Sequence, residues 1–413
     1  MLLLETLLLL FQILVVGLGC IVSLRGNRHV FRYFNPYVWF SFFVFFWFLV
    51  PQFIAIFPPH MIVGLEGEGE YYRRIMMVSG QIALLLYLIA VTLGFNYMYF
   101  IKNDVPPLSD FGLDFDGRDL AILLAFYVLG VACIYYLGMQ FQSLDGMRSE
   151  LVKTTSGKIA TAISFYGNFA FSVLFAVLII NKKYLYAMVV LGVFAMAILL
   201  TGARGRLMWP LLISMIFLAI YLNRLPVRRM IVLGFSLLMI LSILDPLMIS
   251  IRSGDFSRFW DDLNLSSMVE SIFYRRNFDS FSNLTVVVYF DEVEYSLMRL
   301  FTGARDAFMN GYYPSIYESG VGFGVSYPGS LFLSAGWLGV IFGGFFFGMI
   351  LSVLYSYLGM IRDYRVVFGY LFLMPWLAAV GGNFVESFDK MIVAISPVVV
   401  WLYLRRLRLT RIG

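Results

Sequence analysis

Long apolar runs, separated by short polar segments, extend along almost the whole chain. A helix that crosses a bilayer needs about 20 mostly apolar residues, and this pattern predicts eleven such helices. The predicted spans are 2–24, 36–57, 76–100, 119–139, 159–180, 184–201, 207–222, 229–250, 331–358, 366–384 and 388–404. Strands are not expected, because lipid forces each span to satisfy its own backbone hydrogen bonds. The pattern therefore predicts an all-α, polytopic transmembrane protein.

The composition excludes a soluble globular domain. Hydrophobic residues make up 61% of the 413 residues and charged residues only 13%, whereas soluble domains carry about 25% charged residues. A chain of this length could not bury so much apolar surface without lipid. The net charge of +5 is therefore interpreted as a topology signal and not as a nucleic-acid-binding surface. The first apolar run is expected to be a span and not a cleaved signal peptide.

The basic residues predict the orientation of the spans, because Lys and Arg are enriched in cytoplasmic loops. With eleven spans, most basic residues at span ends fall on the same side. These are Arg25, Arg28, Arg32, Lys182, Lys183, Arg224, Arg228, Arg229, Arg362, Arg365, Arg405, Arg406, Arg408 and Arg411. We therefore predict an extracytoplasmic N-terminus and a cytoplasmic C-terminus.

The spans divide the chain into three predicted parts. Residues 1–250 form a bundle of about eight spans, residues 251–330 a large extracytoplasmic loop, and residues 331–413 three further spans and a basic tail. Loops of this length are usually functional or disordered, and the aromatic content of this one argues against disorder. We expect a partly helical cap on the membrane face.

Arginines on the predicted outer side carry the main chemical signal, because positive charge is disfavoured there. Arg204 and Arg206 lie in the segment Thr201-Gly202-Ala203-Arg204-Gly205-Arg206, a short turn between two spans. Further outer arginines are Arg275, Arg276 and Arg305, the last in a second Thr-Gly-Ala-Arg tetrad. Guanidinium groups bind phosphate through two parallel N–H donors and stay charged at any pH, so the set predicts a pyrophosphate site. The alternative is that each arginine reaches toward lipid phosphates.

Outer carboxylates and tyrosines supply the other candidate residues. Asp279, Glu318 and Glu386 are candidates for a catalytic base, although an ion pair or a helix cap would also explain a carboxylate in these places. Tyr312, Tyr313 and Tyr317 are dense enough to form a sugar-binding surface, while tyrosines also mark the membrane interface. Cys20 and Cys133 lie in apolar runs and are expected to pack as small hydrophobic side chains. No metal site and no cofactor are predicted.

With these features the chain resembles the Wzy-type O-antigen and oligosaccharide-repeat-unit polymerases. The layout is similar, with about eleven spans and one large extracytoplasmic loop before the last three. The segment 201–206 looks like the small-residue-plus-arginine turn of the family. Gly322-Phe323-Gly324-Val325-Ser326, which leads into the apolar segment 331–339, is similar to its glycine-rich helix entry. Many members carry a glutamate just before that helix start, where this chain has Ser330, so no base is assigned there.

The resemblance implies a GT-C-like membrane glycosyltransferase in the bacterial inner membrane, with a periplasmic N-terminus. Donor and acceptor would both be glycans on undecaprenyl pyrophosphate, and a chain-length regulator protein is a candidate partner. The arginines would neutralise the departing pyrophosphate, and a carboxylate would take the proton of the acceptor hydroxyl.

Three other functions compete with this interpretation. An O-antigen ligase has a similar architecture, but such ligases rely on a histidine in the large loop, and no histidine occurs between 251 and 330. A lipid-linked oligosaccharide flippase would be expected to show repeated spans and ionisable groups at mid-membrane, and no inverted repeat is evident. A structural or assembly protein is the third alternative, against which the outer arginines argue only mildly.

Overall fold

A computed structural model of the protein describes most of the chain. The described residues are 1–24, 35–56, 70–101, 115–143, 154–201, 205–222, 243, 250, 278–291, 294–300, 303–314, 324–358, 363–377 and 384–406.

The described residues form helices joined by turns, and no strand occurs among them. The α-helices are α1 (Leu2–Leu24), α2 (Pro36–Val44), α3 (Val50–Ile56), α4 (Glu70–Ile101), α5 (Gly117–Ser143), α6 (Thr155–Ile180), α7 (Tyr184–Thr201), α8 (Gly205–Leu222), α9 (Phe278–Phe290), α10 (Ala304–Tyr312), α11 (Tyr327–Leu358), α12 (Tyr364–Leu377) and α13 (Phe384–Arg406). A π-helical segment, Phe45–Leu49, joins α2 to α3, and a 3₁₀ turn covers Leu297–Leu300.

Seven stretches of described helix are long and apolar enough to cross a bilayer. They lie in α1, in the continuous helix from α2 into α3, and in α4, α5, α6, α7 and α11. Shorter apolar helices lie within α8, α9 and α12. The predicted helical membrane protein is thus confirmed. The count of eleven spans stays a prediction, and the predicted span 229–250 lies almost wholly outside the described residues.

The chain divides into two compact units that interleave along the sequence. The first comprises Met1–Leu108, Phe273–Ile361 and Trp376–Asp389, and the second comprises Ser109–Ile272, Arg362–Pro375 and Lys390–Gly413. The three consecutive parts predicted from the sequence stay a prediction. Distant segments join one unit because helix packing in a bundle depends on which apolar faces meet, and neighbours in space need not be neighbours in sequence.

In the first unit, α4 and α11 run parallel and pack closely through glycines. A Cβ atom on Gly344 would meet Tyr87 and Ala90, and one on Gly348 would meet the backbone of Val91 and Phe95. The residue numbers at these contacts therefore increase in the same direction along both helices, as parallel packing requires. Small residues at such contacts let helix backbones approach each other in lipid.

Helix α11 begins at Tyr327, inside the predicted loop, and breaks at Ala335 and Gly336. Gly336 has φ +59°, which a side chain would strain. The ring of Tyr295 lies against this glycine. The break separates a buried first half-helix, 327–334, from the longer remainder. Helix α9, also within the predicted loop, is buried along residues 280–288 and packs against α4 and α11.

In the second unit, α5 and α6 run antiparallel and touch at two glycines. A Cβ atom on Gly130 would meet the backbone of Gly167, and the reverse is also true. Helix α7 lies beside α5, where the hydroxyl of Tyr127 donates to the carbonyl of Val190 at 2.7 Å. Helices α7 and α8 are separated by three residues, which places the end of one and the start of the next side by side.

Candidate functional site

The strongest predicted phosphate-binding pair lies at the turn between α7 and α8. Helix α7 ends at Thr201 and α8 begins at Gly205, so Arg206 is the second residue of α8. The first backbone N–H groups of a helix are unpaired and carry partial positive charge, which attracts anions. Arg204 lies outside the described residues, and for Arg206 only the backbone is described. Arg275 and Arg276 also lie outside them.

The structure places Arg305 and Tyr312 at opposite ends of one short helix, α10, and Tyr313 directly after it. Gly303 precedes this helix with φ +75°, and Arg305 in its first turn is half-buried. The ring of Tyr312 lies 5.5 Å from that of Phe308 and 6.2 Å from that of Phe290. The ring of Tyr313 also lies 5.5 Å from Phe308. Both tyrosines are half-buried, so part of each ring packs against phenylalanine and part is exposed.

The candidate bases stay predictions. Asp279 is the second residue of α9 and Glu386 the third residue of α13, and only their backbones are described. Glu318 and Tyr317 lie outside the described residues. Ser330, to which the sequence assigned no base, is buried, and its hydroxyl lies 3.4 Å from the carbonyl of Val325.

A tyrosine and an aspartate occupy the turn beside the break in α11. Asp291 follows the last residue of α9 with φ +46°, a left-handed conformation typical of helix ends. The hydroxyl of Tyr295 donates to Asp291 Oδ1 at 2.6 Å. Partial burial and the neighbouring carboxylate of Asp291 raise the pKa of Tyr295 to about 12. Tyr295 therefore stays protonated and can donate a hydrogen bond at neutral pH.

Among the described residues, a buried ionic cluster centres on Asp119 in the first turn of α5. Its carboxylate is fully buried and accepts hydrogen bonds from Arg365 Nη2 at 2.6 Å, Trp401 Nε1 at 2.9 Å and the Tyr364 hydroxyl at 3.2 Å. Arg405 Nη1 lies 3.6 Å from the same carboxylate. The guanidinium of Arg365 also lies over the rings of Tyr364 and Trp401, at 4.5 and 5.5 Å. The cluster ties the start of α5 to the start of α12 and the end of α13.

The sequence missed this cluster, although a local signal was present. Asp116 Oδ1 accepts a hydrogen bond from the backbone N–H of Asp119 at 2.8 Å, and Asp119 Oδ2 lies 3.5 Å from the backbone nitrogen of Asp116. This reciprocal arrangement resembles a capping box, with an N-cap residue and an acid three positions later before an apolar run. Arg365 was interpreted only as a loop residue, whereas only 5% of its surface is exposed.

A second buried polar cluster joins α1, α3 and α4 in the first unit. Arg74 Nη1 donates to Glu5 Oε2 at 2.9 Å, and the Glu5 side chain is fully buried. Two turns further along α1 and α4, Gln12 Nε2 donates to the backbone carbonyl of Gln81 at 2.9 Å. Gln81 Nε2 lies 3.2 Å from both Gln52 Oε1 and the carbonyl of Glu5. Sequence reasoning treated this region as a plain apolar span.

Within the described part of the chain, no group of three or more His, Cys, Asp or Glu residues is arranged to hold a metal ion. Cys20 and Cys133 are free thiols in α1 and α5, and both are half-buried. Comparison with protein-family models, curated proteins and solved structures finds no match for this chain.

Proposed function

We propose that this chain polymerises oligosaccharide repeat units carried on undecaprenyl pyrophosphate at the outer face of the bacterial inner membrane. The observation that supports this most directly is the start of α8 at Gly205, next to Arg206. A helix N-terminus and a guanidinium group at the same place both favour a phosphate ligand. This turn is one of the three features on which the resemblance to Wzy-type polymerases rests.

The proposed reaction transfers the growing glycan from its carrier to a new repeat unit. The bond between the donor sugar and the pyrophosphate breaks, and a new glycosidic bond forms to the acceptor hydroxyl at the non-reducing end. The carrier leaves as a pyrophosphate, whose charge Arg204 and Arg206 neutralise, with Arg275, Arg276 and Arg305 as further candidates. One of Asp279, Glu318 and Glu386 takes the proton of the acceptor hydroxyl.

The half-exposed rings of Tyr312 and Tyr313 support a carbohydrate ligand near α10, because each ring has one part fixed by phenylalanine and another part open to stack on a sugar. In this proposal the N-terminus is periplasmic, the C-terminus is cytoplasmic, and a chain-length regulator protein is a candidate partner.

A lipid-linked oligosaccharide flippase is the second candidate function. The buried ion pairs Asp119–Arg365 and Glu5–Arg74 favour it, since ionisable groups buried in membrane helices often belong to transport pathways. In both pairs, however, the acid, Asp119 or Glu5, lies in the first turn of its helix, where a negative charge also interacts favourably with the helix dipole.

The test is complementation of a bacterium that lacks this gene with the Arg206→Ala variant. We expect wild-type membrane levels of the variant and loss of long polymer, with single repeat units still delivered to the cell surface. Arg406→Ala is the matched control, because Arg406 is an exposed arginine in the last turn of α13. Normal polymer from Arg206→Ala would contradict the proposed role of this arginine. Absence of even single units at the surface would favour the flippase.

A further inference from the structure

Helix α1 presents two different faces. Its buried residues are Glu5, Leu9, Gln12, Val16, Gly19 and Ser23, which recur at intervals of three or four residues and form one stripe. The rest of the helix is largely exposed leucine, isoleucine and phenylalanine. Exposing a polar side chain to lipid costs free energy. Glutamate and glutamine accordingly occupy the side of α1 that packs against α4. The polar positions of α1 are therefore placed in the protein interior.

Gln12 of this stripe is joined by two other fully buried glutamines, Gln52 of α3 and Gln81 of α4. We name Gln12, Gln52 and Gln81 the glutamine cluster; each has no exposed surface. The amides of Gln52 and Gln81 touch through a 3.2 Å hydrogen bond, and the amide of Gln12 lies against the backbone of Gln81. The cluster is thus compact and draws on α1, α3 and α4.

Each glutamine of the cluster has one amide atom without a hydrogen-bond partner. The unpartnered atoms are Gln12 Oε1, Gln81 Oε1 and Gln52 Nε2. Reversing one amide does not solve the problem, because each amide already uses its other atom in a hydrogen bond. A buried amide atom that lacks a partner is strongly disfavoured in an apolar environment, and three of them on glutamines that contact one another point to a guest.

The chemistry of the guest follows from these atoms. The two acceptor atoms need two O–H donors and the one donor atom needs an acceptor, which one water molecule or two hydroxyl groups of a sugar supply. The nearest charges, Glu5 and Arg74, are paired at 2.9 Å, so the surroundings favour a neutral guest over a phosphate or a metal ion. We propose that the glutamine cluster is a binding site for hydroxyl groups. Its neutral character separates it from the pyrophosphate site at α8.

The hydroxyl group has two sources. One is buried water, for which a site with two to four polar partners is typical. The other is a hydroxyl of the lipid-linked glycan, and this source rests on the proposed polymerase function. Gln12, Gln52 and Gln81 would then recognise neutral sugar units.

Hydroxyl-radical footprinting of the full chain in nanodiscs tests the site, with X-rays generating radicals from bound water. We expect modification of Leu9, a buried residue one turn from Gln12 on the same stripe, in the wild type. The modification should fall several-fold in Gln12→Met and Gln81→Met, which keep the side-chain length and remove the amide. Gln140→Met, a half-buried glutamine of α5 outside the cluster, should leave it unchanged.

A glycolipid extract from cells that lack this gene separates the two sources. With a glycan guest, the extract should raise the apparent melting temperature of the wild type and of Gln140→Met but not of Gln12→Met. It should also protect Leu9 from modification. With water, the extract should change neither measurement while Leu9 is still modified.

An unmodified Leu9 in the wild type, together with no response to the extract, would overturn the proposal without any variant having to fold. Failure of the polymerase proposal would look different, because the wild type would then make no polymer in cells while the footprint of Leu9 persisted.

Discussion

The indole nitrogen of Trp401 donates a 2.9 Å hydrogen bond to Asp119 Oδ1 across 282 residues of sequence. The other carboxylate oxygen accepts from Arg365 at 2.6 Å. Both oxygens of a fully buried aspartate are therefore occupied by donors from other helices. Such charge-assisted hydrogen bonds are among the stronger polar contacts in proteins, and they fix the start of α5 against α12 and α13.

Replacing Asp119 with asparagine should destabilise the protein severely. The substitution preserves size but leaves the buried guanidinium of Arg365 without the charge that faces it at 2.6 Å. Breaking a buried ion pair by removing one partner costs about 3–5 kcal/mol. The measurement is the apparent melting temperature in detergent by fluorescence-detected size exclusion.

Asp363→Asn is the matched control for this prediction. Asp363 pairs with the same arginine at 3.2 Å, but its side chain is 41% exposed, and exposed pairs contribute about 0–1 kcal/mol. Asparagine also keeps the oxygen that accepts the backbone N–H of Arg365. Equal melting temperatures for the two variants would contradict the central role of Asp119.

The contact between α5 and α6 should not tolerate a methyl group. A Cβ atom on Gly130 would collide with the backbone of Gly167, and overpacking of this kind costs about 1–3 kcal/mol. Gly130→Ala should therefore lower the melting temperature. Gly192→Ala on α7, where a Cβ atom meets nothing within 4 Å, should be neutral or stabilising because alanine favours helix over glycine. A drop of equal size in both variants would show that the interhelical contact does not matter.

Much of the helical architecture could be predicted from the positions and lengths of the apolar runs alone. The predicted spans 2–24 and 184–201 have the same bounds as α1 and α7. Such runs are long enough to cross a bilayer, where a helix can pair the backbone N–H and C=O groups of one segment with each other. The break at Gly336 could not be read from the pattern, since the glycines around it are equally consistent with close helix packing.

The buried polar clusters were beyond sequence reasoning for a different reason. Asp119 and Arg365 lie 246 positions apart, and Glu5 and Arg74 lie 69 apart. Hydrophobic patterning shows which residues are apolar and does not show which helices meet. For the predicted site, Arg305 lies in the first turn of α10, Tyr312 is its last residue and Tyr313 follows it. Arg204, Arg275, Arg276, Tyr317 and Glu318 lie outside the described residues, so their roles stay predictions.

The hydrogen bond from Tyr295 to Asp291 should stabilise the protein only below strongly alkaline pH. Partial burial and the carboxylate raise the pKa of Tyr295 to about 12, above the usual value of about 10. The unfolded chain therefore loses this proton first, and the stabilisation declines as pH rises from about 10 to 12. The difference in melting temperature between the wild type and Tyr295→Phe should shrink across that range. A constant difference would contradict the raised pKa.

Polymer formation should not depend on a divalent metal ion. The proposed reaction uses guanidinium groups to neutralise the pyrophosphate, so the chelator EDTA should leave the rate unchanged in a reconstituted system of purified chain and lipid-linked repeat units. Inhibition by EDTA that added magnesium reverses would show that a metal ion shares the neutralising role.

Arg204→Lys should lose activity although the positive charge is kept. Arginine offers a planar, two-pronged pair of donors to a phosphate, whereas lysine acts as a point charge on a flexible stem. Loss of one charged hydrogen bond in the transition state corresponds to about a tenfold lower rate, or ~1.4 kcal/mol.

The measurement is the initial rate of polymer formation by membranes matched for protein level. Arg406→Lys in the exposed last turn of α13 is the control and should match the wild type. A wild-type rate for Arg204→Lys combined with an inactive Arg204→Ala would reduce the requirement to charge alone. Wild-type rates for both variants would show that Arg204 does not bind the pyrophosphate.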